Sequence, residues 1–403
     1  MGARSVRSLL CFAIAGALEA PAGARPEPLT AVLVEVQGDV TIAEPAPRIQ
    51  GGPGLELVRR ARALQALKMG DEVHLPPGSQ AGLVCSTDRW IALAGGRDQL
   101  LTAQLCRAGR PLPPGTYRRL APTVGRLCHL GLAAILEGNT RRPEDDDFAI
   151  PLLVSPRRTA VLDGRPAIRW RPIPEAVEYE IELTGRYPFQ LRLDAAQIPC
   201  DERWGDLVVC VLPYPGREKE LPAGEVSFLS VGARSELLGV LRKESKPNRV
   251  RRLPTAQAAG VRAELARLEE LPLGSASREL LAADLYVRQG LMGEAIAAYQ
   301  RSLALRDAPE VRVTLADVYL MVGLLRLAAH GYQRARDESS DGAVAAGAEL
   351  GLGRVEQIRC NRSAALAHFR QARDRYVALG LQAERARVEK AVRKLEQAAR
   401  RRQ

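Results

Sequence analysis

Two stretches in the C-terminal half carry the same five residue types at one offset. Ala283, Tyr286, Gly290, Ala295 and Tyr299 recur 33 residues later as Ala316, Tyr319, Gly323, Ala328 and Tyr332. Ala and Gly let two helices approach closely, and the ring four residues after the second Ala fills the space between them. A period of this length holds one helix-turn-helix unit, and such a unit cannot bury its apolar face alone, so copies must stack. A looser third copy reads Leu352, Gly353, Ala365, Phe369 and Ala372, with Glu356 where the first two have Tyr. Phe369 lies 37 residues after Tyr332, which implies about four inserted residues, placed by the sequence between repeats at Asp337 to Gly342.

The period and the small-Tyr-Gly-Ala-aromatic order resemble the tetratricopeptide repeat, whose period is about 34 residues. The resemblance covers residues 276 to 380, between a helical segment Thr255 to Leu271 and a last helix Gln382 to Arg400. That last helix, with Arg385, Arg387, Lys390, Arg393 and Lys394 on its wet faces, reads as a cap. The family implies a groove lined by the first helix of each pair, where a protein or peptide partner lies. Matching residue by residue places Asp284, Val287 and Arg288 on that face in the first copy, then Asp317, Leu320 and Met321, then Arg354, Gln357 and Ile358. Members that bind a peptide C-terminus carry Asn and Lys for a carboxylate clamp, where this chain has Asp284 and Asp317. The charge is wrong for that clamp, so mixed apolar and polar contacts with a protein segment are expected.

The N-terminus reads as a secretory signal over residues 1–24, with Arg4 and Arg7 ahead of the apolar run Leu9 to Leu18 and a small-residue site Ala22-Gly23-Ala24. Ten apolar residues fall short of the ~20 a membrane span needs, and no later stretch is long enough either. A periplasmic or secreted location follows, and in an oxidising compartment thiols pair. By proximity along the chain, Cys85 with Cys106 and Cys200 with Cys210 are the expected disulfides, leaving Cys128 and Cys360. A metal site built from Cys85, Cys106, Cys128 and His129 lacks the close spacing of structural zinc sites. The formal charge of +11 is carried by 58 basic residues, of which all but six are Arg, spread over every segment. That distribution argues against a nucleic-acid stripe, and the densest run, Arg242 to Arg252, reads as a linker.

Ahead of the repeats the pattern is β. The strand Ala31 to Val36, the turn Gln37-Gly38-Asp39, the turn Gly70-Asp71, the strand Gly78 to Val84 and the strand Trp90 to Leu93 resemble the periplasmic β domain of FecR-type proteins over residues 31 to 102. Signalling members precede this domain with a cytoplasmic segment and a membrane span, which this chain does not match. The resemblance implies an extracytoplasmic β module that meets another envelope component. Further on, Pro166-Ala167-Ile168-Arg169-Trp170, Pro174-Glu175-Ala176 and Tyr179 to Leu183 are similar to fibronectin type III-like domains, with Trp170 and Tyr179 as core residues.

The fold expected is therefore multidomain β then α. Residues 25–140 form the FecR-like β domain, 151–235 a small β-sandwich, 236–254 a basic linker, and 255–403 a tetratricopeptide-like α-solenoid with its capping helix. No HExxH, GxSxG, GxxxxGK[ST] or GxGxxG arrangement is present, and the four histidines do not cluster in sequence. No cofactor, metal or catalytic residue is assigned. The expected function is a non-enzymatic, exported scaffold that holds a protein partner in the repeat groove. The alternatives are surface glycan or peptidoglycan binding through the β modules, with Trp90 and Trp204 as exposed aromatics, and a FecR-like envelope signalling component.

Overall fold

The computed structural model describes residues 29–44, 57–62, 65–68, 70–85, 89–111, 150–235, 241–243 and 247–400. The expected signal segment, Cys128 and His129 lie outside them. The order is β then α: an N-terminal β region, a two-sheet sandwich, then an array of helices that each pack on their neighbours in sequence.

The N-terminal region holds β1 (Leu29–Gln37), β2 (Thr41–Glu44), β3 (Leu57–Arg60), β4 (Gln65–Lys68), β5 (Glu72–His74), β6 (Gln80–Cys85), β7 (Arg89–Ala94), β8 (Gln99–Leu100), α1 (Ala103–Ala108) and β9 (Arg110–Pro111). They form one sheet in the order β4-β1-β6-β7-β9 and a second in the order β3-β2-β5-β8. Successive side chains of a strand point to opposite faces, so a run apolar at every position needs cover on both. Strand β1 shows this: Ala31 and Leu33 enter a core with Ile42, Leu67 and Val73, while Val32 and Val34 enter a second core on the other face. Cys85 is bonded to Cys106, tying β6 to α1.

The sandwich holds β10 (Leu152–Ser155), β11 (Thr159–Val161), β12 (Ile168–Arg171), β13 (Ala176–Thr184), β14 (Phe189–Asp194), β15 (Glu202–Trp204), β16 (Leu207–Leu212), β17 (Val226–Ser235), β18 (Leu241–Lys243) and β19 (Asn248–Arg252). One sheet runs β10-β12-β16-β15, the other β11-β19-β17-β13-β14 with β18 on β17. Trp170 and Tyr179 are buried between them in an edge-to-face pair with centroids 5.2 Å apart. A second disulfide, Cys200–Cys210, closes the β15–β16 hairpin region. The described part of the stretch 236–254 is not a linker: β18 and β19 complete the second sheet, with β19 antiparallel to β17 and parallel to β11. The arginines conceal an alternation in which Asn248 and Val250 point inward and Arg249 outward.

Eight helices follow: α2 (Thr255–Glu269), α3 (Ser275–Arg288), α4 (Met292–Leu305), α5 (Pro309–Val322), α6 (Leu325–Glu338), α7 (Gly342–Ile358), α8 (Arg362–Ala378) and α9 (Gln382–Arg400). The repeated small residues Ala283, Ala295, Ala316 and Ala328 are wholly buried, as are Tyr299 and Tyr332. Gly290 and Gly323 end α3 and α5 with φ of 74° and 82°, a left-handed conformation that side chains with a Cβ resist. Cys360 takes the same position in the third copy at φ 61°. The four extra residues are not in the connection, which is short before both α5 and α7. Three of them lengthen α7 to 17 residues against 14 in α5, close to one added turn, and the fourth, Arg359, follows the helix before Cys360. Helix α9 buries Val388, Val392 and Leu395 against Phe369 and Tyr376 and leaves Arg387, Lys390, Arg393 and Lys394 exposed.

Close approach at α7 is what its glycines provide. A Cβ on Gly351 would lie 2.3 Å from the Tyr332 ring, and one on Gly353 would lie 2.5 Å from the Phe369 ring. Gly351→Val is expected to lower stability by about 2 kcal/mol or more through overpacking, whereas Gly216→Ala, at a site with no atom within 4 Å of a new Cβ, is expected to be neutral. Thermal denaturation of both variants checks this; equal melting temperatures would contradict the packing.

Candidate partner-binding face of the helical repeats

The nine residues expected to line a groove occupy the last turns of α3, α5 and α7, but they do not form one open surface. Val287, Leu320 and Ile358 are buried, at 1%, 0% and 3% exposure. They belong to one continuous apolar cluster with Val32, Val34, Val84 and Trp90 of the N-terminal region and Leu152, Val154, Trp204, Leu207 and Val209 of the sandwich. Met321 packs half-buried against this cluster, Gln357 is half-buried, and Arg288 is exposed. Trp90 and Trp204 are buried in the same core, Trp90 lying against Gly82 and Trp204 donating from its ring nitrogen to Glu202 at 2.6 Å. Neither ring is presented for stacking on a sugar, which corrects their reading as exposed aromatics.

The polar members pair among themselves. Asp284 lies 3.5 Å from the Arg288 guanidinium. Asp317 accepts the Tyr332 hydroxyl at 2.6 Å and lies 3.9 Å from Arg354, so the second and third copies meet through opposite charges. Burial, reinforced by Asp284 and Asp317, pushes the Tyr299 phenol well above its ordinary value and keeps it protonated. The third copy has Phe369 at this aromatic position and Arg354 at the Asp position, so its ring needs no carboxylate partner. Buried Glu349 of α7 is held by the His368 ring at 2.7 Å, which gives that histidine a packing role.

A segment that sequence reasoning did not single out joins sandwich to repeats. Residues 157–162 run across two equivalent helix turns. Arg157 donates to the Val322 carbonyl at 2.9 Å and to the Leu153 carbonyl at 3.0 Å, bridging the second repeat's turn to β10. The Ala160 backbone donates to the Gly290 carbonyl at 2.9 Å, and the Met292 backbone donates to the Thr159 hydroxyl at 2.7 Å. The Leu162 backbone donates to Glu294 Oε1 at 2.9 Å. The turns used, at Gly290 and Gly323, are the repeat's own glycine positions, which is the one signal that could have pointed to them. Outlying ion pairs, Arg262–Asp163 at 2.6 Å and Arg326–Asp206 at 3.3 Å, are solvent-facing. Such pairs are worth roughly 0–1 kcal/mol, against roughly 1.5–3 kcal/mol for each large apolar side chain buried in the shared core. The apolar cluster decides the association and the hydrogen bonds decide its register.

No family model matches this chain, and no curated protein is similar to it in sequence. Among the described residues no helix is long and apolar enough to cross a membrane. The two disulfides are those of a protein that matures in an oxidising compartment.

Glu294 gives this junction a pH dependence. Burial raises its carboxyl above the ordinary value, partly offset by the Leu162 and its own backbone N–H groups, and its Oε2 has no hydrogen-bond partner among the described residues. A raised folded-state value means that the group's stabilising contribution is full below the unfolded value near pH 4.5 and is lost as pH rises through the folded one. Glu294→Gln keeps an oxygen for Leu162 and removes the ionisation, so its stability relative to the natural chain is expected to increase from pH 4.5 toward neutrality. Denaturant unfolding of both proteins across that range measures the difference; a pH-independent difference would contradict the assignment.

Proposed function

We propose that this protein is an exported, non-enzymatic scaffold of the cell envelope, which holds a protein partner on its helical repeats while its β regions serve as docking parts. The observation that carries this reading is the strap at residues 157–162, which fixes a β-sandwich onto equivalent turns of two stacked repeats and makes a preorganised platform. Preorganisation lowers the entropy lost on binding, which suits an adaptor. The resemblance of the repeats to tetratricopeptide repeats, and of the β regions to FecR-type and fibronectin type III-like modules, supports the same class. The disulfides fit the proposed periplasmic or secreted location.

Burial narrows the face on which a partner can lie. With Val287, Leu320 and Ile358 committed to the internal core, contact falls to Arg288, Met321 and Gln357, which retain solvent access in the first, second and third copies. The partner then meets a cation, a thioether and an amide, a mixed surface suited to a protein segment.

A photo-crosslinking amino acid at Arg288, Met321 or Gln357, introduced in the native host, is expected to trap the same discrete protein from all three positions. The exposed Gln333 on α6 serves as the comparison position. Equal trapping from Gln333, or none from the three, would contradict this face.

A further inference from the structure

Among the described residues a cavity is lined by arginines and by no acid. It has a volume of about 420 Å³ and lies where the sandwich meets the first repeat, between β11, β19 and the turn after α3. The parallel pairing sets Ala160 of β11 beside Arg251 of β19 and Thr159 beside Val250, while Arg158, just before β11, leaves the strand conformation with φ 48° and carries its guanidinium toward the Gly323 turn. Arg249 and Arg251 are two residues apart on one strand and therefore share a face. Ala160 supplies a small side chain to the lining, and Gln289 and Gly290 contribute from the helix turn. The carboxamide oxygen of Gln289 accepts from Gln257 at 2.9 Å.

Arg249 and Arg251 place two like charges on the same face of one strand, and these repel each other unless a counter-charge lies between them. Arginines just outside the recess are neutralised: Arg252 lies 3.0 Å from Glu220, and Arg262 lies 2.6 Å from Asp163. Arg249 and Arg251 take part in no ion pair among the described residues. The guanidinium is a planar fork matched to oxyanions in a bidentate geometry, and it binds phosphate and carboxylate more specifically than a lysine does. A volume near 420 Å³ is in the range of small-molecule sites.

We infer that this cavity is a binding site for a small, multiply charged oxyanion, carrying two or more phosphate or carboxylate groups, held by Arg249 and Arg251. The ligand neutralises the recess and, because the cavity is walled by both the sandwich and the first repeat's turn, its binding tightens that junction. This site uses none of the proposed partner-face residues Arg288, Met321 and Gln357, and neither reading depends on the other.

The test is calorimetric titration of the full chain at low ionic strength with pyrophosphate and, separately, with citrate. Saturable one-site binding of at least one probe is expected, at least tenfold weaker in Arg249→Gln/Arg251→Gln and unchanged in Arg203→Gln, an exposed arginine of the same sandwich. Both changed positions in the double variant lie on the outer face of β19, and a melting curve confirms that it folds. Binding of pyrophosphate alone identifies a phosphate ligand, and binding of citrate alone a carboxylate ligand. No saturable binding of either probe, or an equal loss in Arg203→Gln, would overturn the site. If the double variant melts early, Arg251→Gln alone is titrated, and binding undiminished there overturns it equally.

Discussion

The structure depends on sheets that are buried on both faces. In the N-terminal region β1 turns Ala31 and Leu33 to its own core and Val32 and Val34 to the shared one; in the sandwich β10 turns Leu153 inward and Leu152 and Val154 outward. The outward residues have no water-facing option, because each exposed apolar side chain would forgo roughly 1.5–3 kcal/mol. They share one apolar cluster with the faces of α3, α5 and α7, whose Val287, Leu320 and Val355 need cover for the same reason. Two sets of surfaces that could not stand alone in water complete one another, and the three regions become one body.

This cover changes what the helical stack can do. A repeat array ordinarily offers its inner face to a partner, yet here much of that face is used within the chain. The polar residues near it have turned to internal pairing: Asp317 with Tyr332 and Arg354, Asp284 with Arg288. What is left outside is a narrow edge and, at the junction, an arginine-lined recess.

Much of the architecture was legible in the sequence because its signals are local. The 33-residue offset located the helix pairs, and the alternation around Trp170 and Tyr179 located the sandwich core. Two errors share a cause in that side chains were read without their strand or helix. Arg242 to Arg252 looked like a charged linker because its arginines hid the inward Asn248 and Val250, and the extra residues of the third copy looked like a longer connection when three of the four lengthen α7. The candidate face was legible in position but not in exposure. Repeat matching places Leu320 on a helix face, but only the tertiary fold determines what lies against it. The strap at Arg157 to Leu162 carries no motif, since four of its key contacts use backbone groups that any sequence possesses.

All three tryptophans, Trp90, Trp170 and Trp204, lie in the β regions, while far-ultraviolet dichroism at the helical minimum reports mainly on the eight C-terminal helices. Equilibrium unfolding of the oxidised full chain, followed by both signals in the same denaturant series, therefore asks directly whether the β regions and the repeats share one core. Coincident transitions with a single midpoint are the result expected of one body joined through the apolar cluster. Two separated midpoints, with the fluorescence and the dichroism changing independently, would contradict it.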